Sequence, residues 1–312
     1  MVVLVGAAYL VGIVVLGGDE AREAVAGAGT PALAGAVVLQ VVVTLCWPLV
    51  HRASLRAVGE DLSYRHALEV AMSAFTVSHT VPGGGAVGAV VAVDRLTRFG
   101  VPGVAATAGV ALTGPISLTT IAGLGAVGIT AATIAGDVPG TFLVVVLVVL
   151  AILVAVVATI VTALRSPALG ERIIEAVARR SARLRRRAAG WRAAWHGLAD
   201  AGPSAAQTSA IIGWALVKWG ADIASLAVVF VAVGEEPRLT VLLAGFAVSQ
   251  VLAAVPLTPG AVGVVESGMV GVFVVFGVPA GSAVTIAILY RVVEMWLPTA
   301  AGVPMLARGM SR

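Results

Sequence analysis

The sequence predicts an all-α polytopic membrane protein with about six spanning helices plus two broken or re-entrant helical hairpins in an inverted repeat. Three observations lead there. Hydrophobic residues make up 59% of the chain and charged residues 12%, and the mean hydropathy is +1.04, far outside the range of soluble proteins. Apolar stretches recur along the 312 residues, a length that holds roughly six to ten segments of about 20 residues each. Two further apolar stretches, 67–93 and 239–277, are interrupted by proline and glycine.

The first stretch, "MVVLVGAAYLVGIVVLGG", lacks the basic start of a secretory signal and reads as a first transmembrane helix. Further spans fall near 31–50, 104–135, 141–164, 204–233 and 281–306. Residues 1–312 thus form a single transmembrane domain. Within it lie a first broken-helix element at 67–135, a basic loop at 165–203 and a second broken-helix element at 239–306. Arg52, Arg56 and Arg65 mark one loop as cytoplasmic, and the 165–200 loop has nine arginines against three acids. Loops carrying Asp19, Glu20 and Glu23, or Glu235 and Glu236, then lie outside, and both chain ends face the cytoplasm of a cell membrane. Ile173, Ile174, Val177 and Leu184 alternate with arginines in the basic loop, the pattern of a helix lying on the inner leaflet.

Several classes drop out. The net charge of +4 comes from cations beside apolar spans, so no nucleic-acid partner is expected. Cys46 has no partner cysteine, and His51, His66, His79 and His196 lack ligand spacing, so no metal or other cofactor is expected. HExxH, GxSxG and GxxxxGK[ST] are absent, so the chain is expected to be neither an enzyme nor ATP-driven.

The interruptions carry the most information. About 14 apolar residues precede "PGGG" (82–85) and about 8 follow before Asp94, whereas a span needs roughly 20. A hairpin that enters and leaves on the arginine-rich side is expected there, with Asp94 and Arg95 marking its return to water. The halves of 239–277 are longer, and two short crossings are the alternative to a hairpin. The words "GAVG" and "FGVP" occur in both segments, at 85–88 and 99–102 and again at 260–263 and 276–279. Three spans separate the copies, so their orientations are opposed, as in inverted-repeat transporters. A half-helix that restarts after such a break offers unpaired N–H groups and a partial positive charge, which suit a phosphate. A kinked helix packed through small residues is the plainer reading.

"PLTPGAVGVVESG", then "FGVP" and "LYRVVEMWLP", resemble the lysylphosphatidylglycerol synthase transmembrane region, or flippase-like, family. The resemblance implies a polytopic protein associated with moving lipids or lipid-linked groups between leaflets. No soluble domain is expected after the last span, so synthase activity is not among the expectations. Many members carry an acid soon after "PGG", where this chain has Gly88. Carried over residue by residue, the resemblance picks out Pro82, Gly83, Gly84, Pro259, Gly260, Gly263, Glu266 and Arg291. Gly85 completes the first break.

Intramembrane charges are costly and face a partner, a substrate or water. Glu266 lies within about two turns of the second break. It suits a cationic head group, a proton or a pair with Arg291, and Glu294 sits one turn beyond Arg291. Lys218 and Asp222, spaced i, i+4, are placed to neutralise each other; His79 and Gln250 flank the two breaks and complete the candidate set. The expected function is a flippase-like transporter. It would move an anionic or aminoacylated phospholipid between leaflets, with the head-group phosphate at the half-helix tips. A carrier of a polyprenyl-phosphate-linked sugar or small anion, and a non-transporting scaffold for a separate lipid-modifying enzyme, are the alternatives.

Overall fold

The computed structural model describes residues 29–81, 84–136, 166–179, 203–253 and 259–310, with scattered positions between 144 and 162 and at 192 and 196. All regular structure among the described residues is helical. In chain order the helices are α1 (Thr30–Arg56), α2 (Tyr64–Thr80), α3 (Gly84–Arg98), α4 (Gly103–Ala135), α5 (Pro167–Ala178), α6 (Ala205–Val233), α7 (Leu239–Ala253), α8 (Val264–Val275), α9 (Ala280–Arg291) and α10 (Leu297–Met310). A short 3-10 turn, Pro259–Ala261, precedes α8, and a π-turn, Val292–Trp296, joins α9 to α10.

Four segments among the described residues are long and apolar enough to span a bilayer: α1, α4, α6 and the continuous run Ala280–Arg308. The expected span near 1–18 lies outside the described residues, and the one near 141–164 lies largely outside them. Of the basic loop, only 166–179, 192, 196 and 203 are described. α5 there carries an exposed Glu175–Arg179 pair at 2.8 Å and buries Ile174.

Contacts between distant residues fix the direction of each element. The Gly29 N–H donates to the Ala232 carbonyl at 3.0 Å, placing the start of α1 beside the end of α6. At the other end the Gln207 side chain donates to the Arg56 carbonyl at 3.1 Å. α1 and α6 are therefore antiparallel along their packed length. The loop after α1, in which Arg52 and Arg56 hold the Asp61 carboxylate, delivers the chain into α2 at the Arg56 end. The Arg56 hydrogen bond and its neighbours keep that exposed carboxyl below the usual range.

α2 and α3 form a hairpin whose base and tip are both defined. At the base the His66 ring stacks on Phe99 with centroids 4.1 Å apart, and Arg95 lies 3.6 Å from Glu69. Near the tip Gly84 and Gly88 press on Ser78 so closely that a Cβ on either would overlap it. The chain thus re-emerges at the end where it entered. The second interrupted segment is a hairpin too. Arg238 donates to the Phe276 carbonyl at its base, Gly245 packs on Phe273, and Gly268 packs on Leu252 near its tip. Because α6 runs from the Arg56 end to the opposite end, the second base lies opposite the first. α9 and α10 then return, and Arg95 donates to the Leu306 carbonyl at 2.7 Å.

The word "FGVP" builds the same turn twice. Gly100 (φ 91°) and Gly277 (φ 85°) take the left-handed conformation that glycine favours. Val101 donates to Leu96 O at 3.1 Å, and Val278 donates to Phe273 O at 2.9 Å. Pro102 and Pro279 then start α4 and α9 with nearly equal angles (φ −57°, ψ 136°; φ −54°, ψ 140°). Each hairpin also has its own apolar core: Val70, Leu96, Leu55 and Leu112 around the first, Phe246, Phe273, Phe230 and Tyr290 around the second.

Candidate functional site

Arg291 lies at the end of α9, with its side chain 3% exposed. Three elements converge on its guanidinium. Nε donates to Glu266 Oε1 at 3.0 Å, Nη1 to Glu294 Oε2 at 2.9 Å, and Nη2 to the Gly260 carbonyl at 2.6 Å. Nη2 also lies 2.8 Å from Met295 Sδ. The second oxygen of Glu266 accepts from the Gly263 N–H at 2.7 Å. Glu266 therefore satisfies a backbone donor at the start of α8 and clamps Arg291 with one carboxylate.

Local sequence explains the convergence. Gly260 (φ 62°) and Gly263 (φ 85°) adopt left-handed angles that let the chain turn twice within four residues before α8 starts. Glu266, in the first turn of α8, then reaches back to the tip. Beyond Arg291, Pro298 has no N–H for the Glu294 carbonyl. The ladder slips, and Leu297 donates to Val292 O five residues back. π-turns of this kind concentrate at functional sites.

The two broken segments meet here. A Cβ on Gly260 would lie 3.1 Å from the His79 carbonyl oxygen and 2.9 Å from Met295 Sδ. His79 closes the last turn of α2; its Nδ1 donates to Phe75 O at 2.8 Å, and its ring packs on Phe75 at 3.9 Å. A second buried ion group lies one residue away from Arg291 along α9. Tyr290 Oη donates to Asp222 Oδ1 at 2.7 Å, and Lys218 Nζ lies 3.7 Å from Asp222 Oδ2. The Lys218 ammonium also sits 3.1 Å from the Trp219 ring centroid and 5.4 Å from that of Trp47. Among the described residues, three carboxylates (Glu266, Glu294 and Asp222) thus stand beside two basic side chains, Arg291 and Lys218.

Among the candidates, Gly260, Gly263, Glu266, Arg291 and Glu294 are brought into one cluster, with His79 at its edge. Pro259 opens the 3-10 turn beside them. Lys218 and Asp222 form the neighbouring pair. Gln250 is half-buried near the end of α7 and makes no hydrogen bond to Arg291 or its carboxylates among the described residues. Gly84 and Gly85 begin α3, whereas Pro82 and Gly83 lie outside the described residues. One expectation is overturned. Arg95 does not mark a return to water: it is 3% exposed and binds the Leu306 carbonyl, while Asp94 pairs with Arg98 on the exposed face. Tyr290 and Met295 were missed. A buried tyrosine hydroxyl calls for a partner, but nothing local in the sequence identifies Asp222, 68 positions away, as that partner.

Two opposed helical hairpins whose tips meet at a buried ion cluster, framed by long apolar helices, define a polytopic membrane protein of inverted-repeat design. The chain belongs to the lysylphosphatidylglycerol synthase TM region family, which it matches over residues 1–302. It is also similar to UPF0104 membrane proteins. One from Methanothermobacter thermautotrophicus is 34% identical over 87 residues, 28% of this chain and 26% of the relative. A second match in that organism is 31% identical over 94 residues, 30% of this chain and 27% of the relative. One from Pyrococcus horikoshii is 32% identical over 90 residues, 28% of this chain and 27% of the relative. The chain thus aligns with 26% to 27% of the length of these curated relatives.

Proposed function

We propose that this protein is a lipid flippase-like transporter of the cell membrane that moves a phospholipid head group past the meeting point of the two hairpin tips, while the acyl chains stay in the bilayer. The observation that carries the reading is the Arg291 cluster. One guanidinium is shared among Glu266, Glu294 and the broken backbone at Gly260, all at the seam between the opposed hairpins. A cluster of that kind offers both halves of an exchange. A phosphate arriving at the α8 tip competes with Glu266 for the Gly263 N–H and for Arg291. The displaced carboxylate is then free to accept an ammonium. The three carboxylates standing beside Arg291 and Lys218 favour an aminoacylated head group over a purely anionic one. The proposal includes no catalytic step, places both chain ends in the cytoplasm, and takes membrane lipid as the partner.

The test is transbilayer movement of labelled lipids in liposomes reconstituted with the purified protein. The panel is phosphatidylglycerol, its aminoacylated form and phosphatidylethanolamine. The expected result is head-group-selective movement that Arg291→Ala abolishes and Glu266→Gln slows. Glu266→Gln replaces one of the two accepting oxygens by an NH2 group, which sets a donor against either Arg291 or the Gly263 N–H. Folded protein that moves none of these lipids overturns the reading.

A further inference from the structure

The second buried ion group takes no part in the exchange at Arg291, and its surroundings show what it lacks. Asp222 lies within α6 and is 1% exposed. Its Oδ1 accepts from the Tyr290 hydroxyl at 2.7 Å, while its Oδ2 faces the Lys218 ammonium at 3.7 Å, beyond direct hydrogen-bond range. That ammonium rests on the Trp219 ring, 3.1 Å from its centroid, and the indole N–H is fixed on the Ser117 carbonyl at 3.1 Å. Lys218 therefore has a seat that does not depend on the carboxylate.

Across the seam, α1 supplies an acceptor without a donor. The Ala36 carbonyl accepts from Ser225 Oγ at 3.1 Å, and the Trp47 ring lies 5.4 Å from Lys218 Nζ. Ala36, Gln40, Val43 and Trp47 are spaced as one stripe of α1, and Lys218, Asp222 and Ser225 as one stripe of the antiparallel α6. The register puts Gln40, one turn from Ala36, at the level of Asp222, one turn from Ser225. Gln40 is 4% exposed, and its Oε1 has no hydrogen-bond partner among the described residues. An unpaired buried acceptor is costly, and a carboxylate has no proton to give it. A protonated Asp222 has one.

The other charged and titratable groups around this seam are few. α9 brings Tyr290 and Arg291, and the π-turn brings Glu294, whose charge reaches Asp222 and Lys218. Cys46 of α1 and His79 of α2 lie within electrostatic reach of Lys218. His51 stacks beside Trp47, while Arg52 and Arg56 turn to Asp61. α4 and α7, which also pack on α6, carry no titratable side chain. A metal cation at Asp222 would meet the Lys218 ammonium. A proton bonds to the carboxylate oxygen itself and leaves Lys218 on its ring.

We infer that Asp222 and Gln40 form a proton-binding site in the seam between α1 and α6, and that its loading couples lipid movement to a proton gradient. The proton, taken from water on one side of the membrane, bonds to Asp222 Oδ2 and is shared with Gln40 Oε1. The charge-assisted bond from Tyr290 then becomes a neutral one, roughly half as strong. Tyr290 precedes Arg291, so the hold of α6 on α9 loosens beside the Arg291 cluster, and release of the proton on the other side restores it. The coupling rests on the transport reading; the proton site does not.

The site is read by infrared difference spectroscopy of the full chain in detergent, acidified from about pH 9 to about pH 4, a range that spans buried and exposed carboxyls. The expected result is a carbonyl band of a protonated carboxyl that is missing in Asp222→Asn and displaced in Gln40→Leu. Asparagine keeps an acceptor for Tyr290. If its elution profile shows that Asp222→Asn does not fold, Gln40→Leu, which leaves Lys218, Asp222 and Tyr290 in place, decides alone. A spectrum that Gln40→Leu leaves unchanged, or a band that Asp222→Asn retains in full, overturns the site. The coupling is read in liposomes with labelled aminoacylated phosphatidylglycerol. With one proton per lipid, a gradient of about one pH unit sustains a leaflet asymmetry of up to about tenfold, and Asp222→Asn loses it. Lipid that moves but ignores the pH gradient, or follows a sodium gradient at equal pH, overturns the coupling and leaves the transport reading standing. A parent that moves no lipid overturns the transport reading and the coupling with it, while the infrared result decides the proton site by itself.

Discussion

The two hairpins share direction-reversed geometry but put their charge in opposite places. The first holds its buried ion at the base, where Arg95 meets Glu69 and the Leu306 carbonyl, and near its tip Gly84 and Gly88 close on Ser78, with the His79 ring packed on Phe75. The second is held at its base by Arg238 on a carbonyl, and its charge is at the tip, where Glu266 caps α8 and binds Arg291. One hairpin is close-packed at the tip and electrostatically anchored at the base. The other is open and polar at the tip. An inverted pair therefore need not be chemically symmetric, and the asymmetry locates the ion cluster on the side of the seam contributed by the second hairpin.

Removing the hub of that cluster should have the largest effect. Arg291→Ala leaves Glu266 and Glu294 facing each other with side chains only 13% and 10% exposed, and breaking a buried ion network costs about 3–5 kcal/mol. Thermal unfolding in detergent should show a loss of that order. A loss below about 1 kcal/mol would mean that water reaches the cluster freely, as at an exposed pair.

One added methyl group should destabilise both tips, but for different reasons. A Cβ on Gly84 runs into the Ser78 backbone carbonyl, so Gly84→Ala forces α2 and α3 apart. Overpacking of that kind costs about 1–3 kcal/mol, and the conflict cannot be relieved by trimming the Ser78 side chain. At Gly263 no atom lies within 4 Å of the added methyl. The cost of Gly263→Ala is that of its left-handed backbone, about 1–2 kcal/mol. Cysteine crosslinking between α2 and α3 should then weaken in Gly84→Ala only.

How much of this was legible from the sequence follows the same division. "FGVP" specifies its turn outright: glycine in the left-handed region and proline starting the next helix are local requirements, and both copies obey them. "GAVG" is less faithful. In the first hairpin it lies inside α3, but in the second it runs from the 3-10 turn to Gly263, the N-cap of α8. An intramembrane glutamate and arginine were readable as partners because lipid leaves a charge few alternatives. Arg95 was misread because its neighbours Asp94 and Arg98 are solvated; which face of one helical turn is covered depends on α10, more than two hundred positions away. The Asp222–Tyr290 bond was illegible for the same reason.

The shared turns supply a control on the comparison. Gly100→Ala and Gly277→Ala should destabilise equally, by about 1 kcal/mol each, since the φ angles and hydrogen bonds match and a Cβ meets nothing within 4 Å at either site. Unequal losses of unfolding temperature would show that the hairpins differ in their turns as well as their tips.

The smallest effect belongs to Arg98→Ala. Arg98 Nε lies 3.0 Å from Asp94 Oδ2, an i, i+4 pair with side chains 48% and 51% exposed. Exposed pairs of this spacing contribute about 0.5 kcal/mol or less, and added salt should erase the difference from the parent. Arg95, three positions earlier, holds the same turn from the buried side by a carbonyl hydrogen bond that salt does not reach. If Arg98→Ala lowered the unfolding temperature as much as Arg95→Ala, the base of the first hairpin would be held from its solvent face, and the contrast between a base anchored by buried charge and a tip closed by glycine would fail.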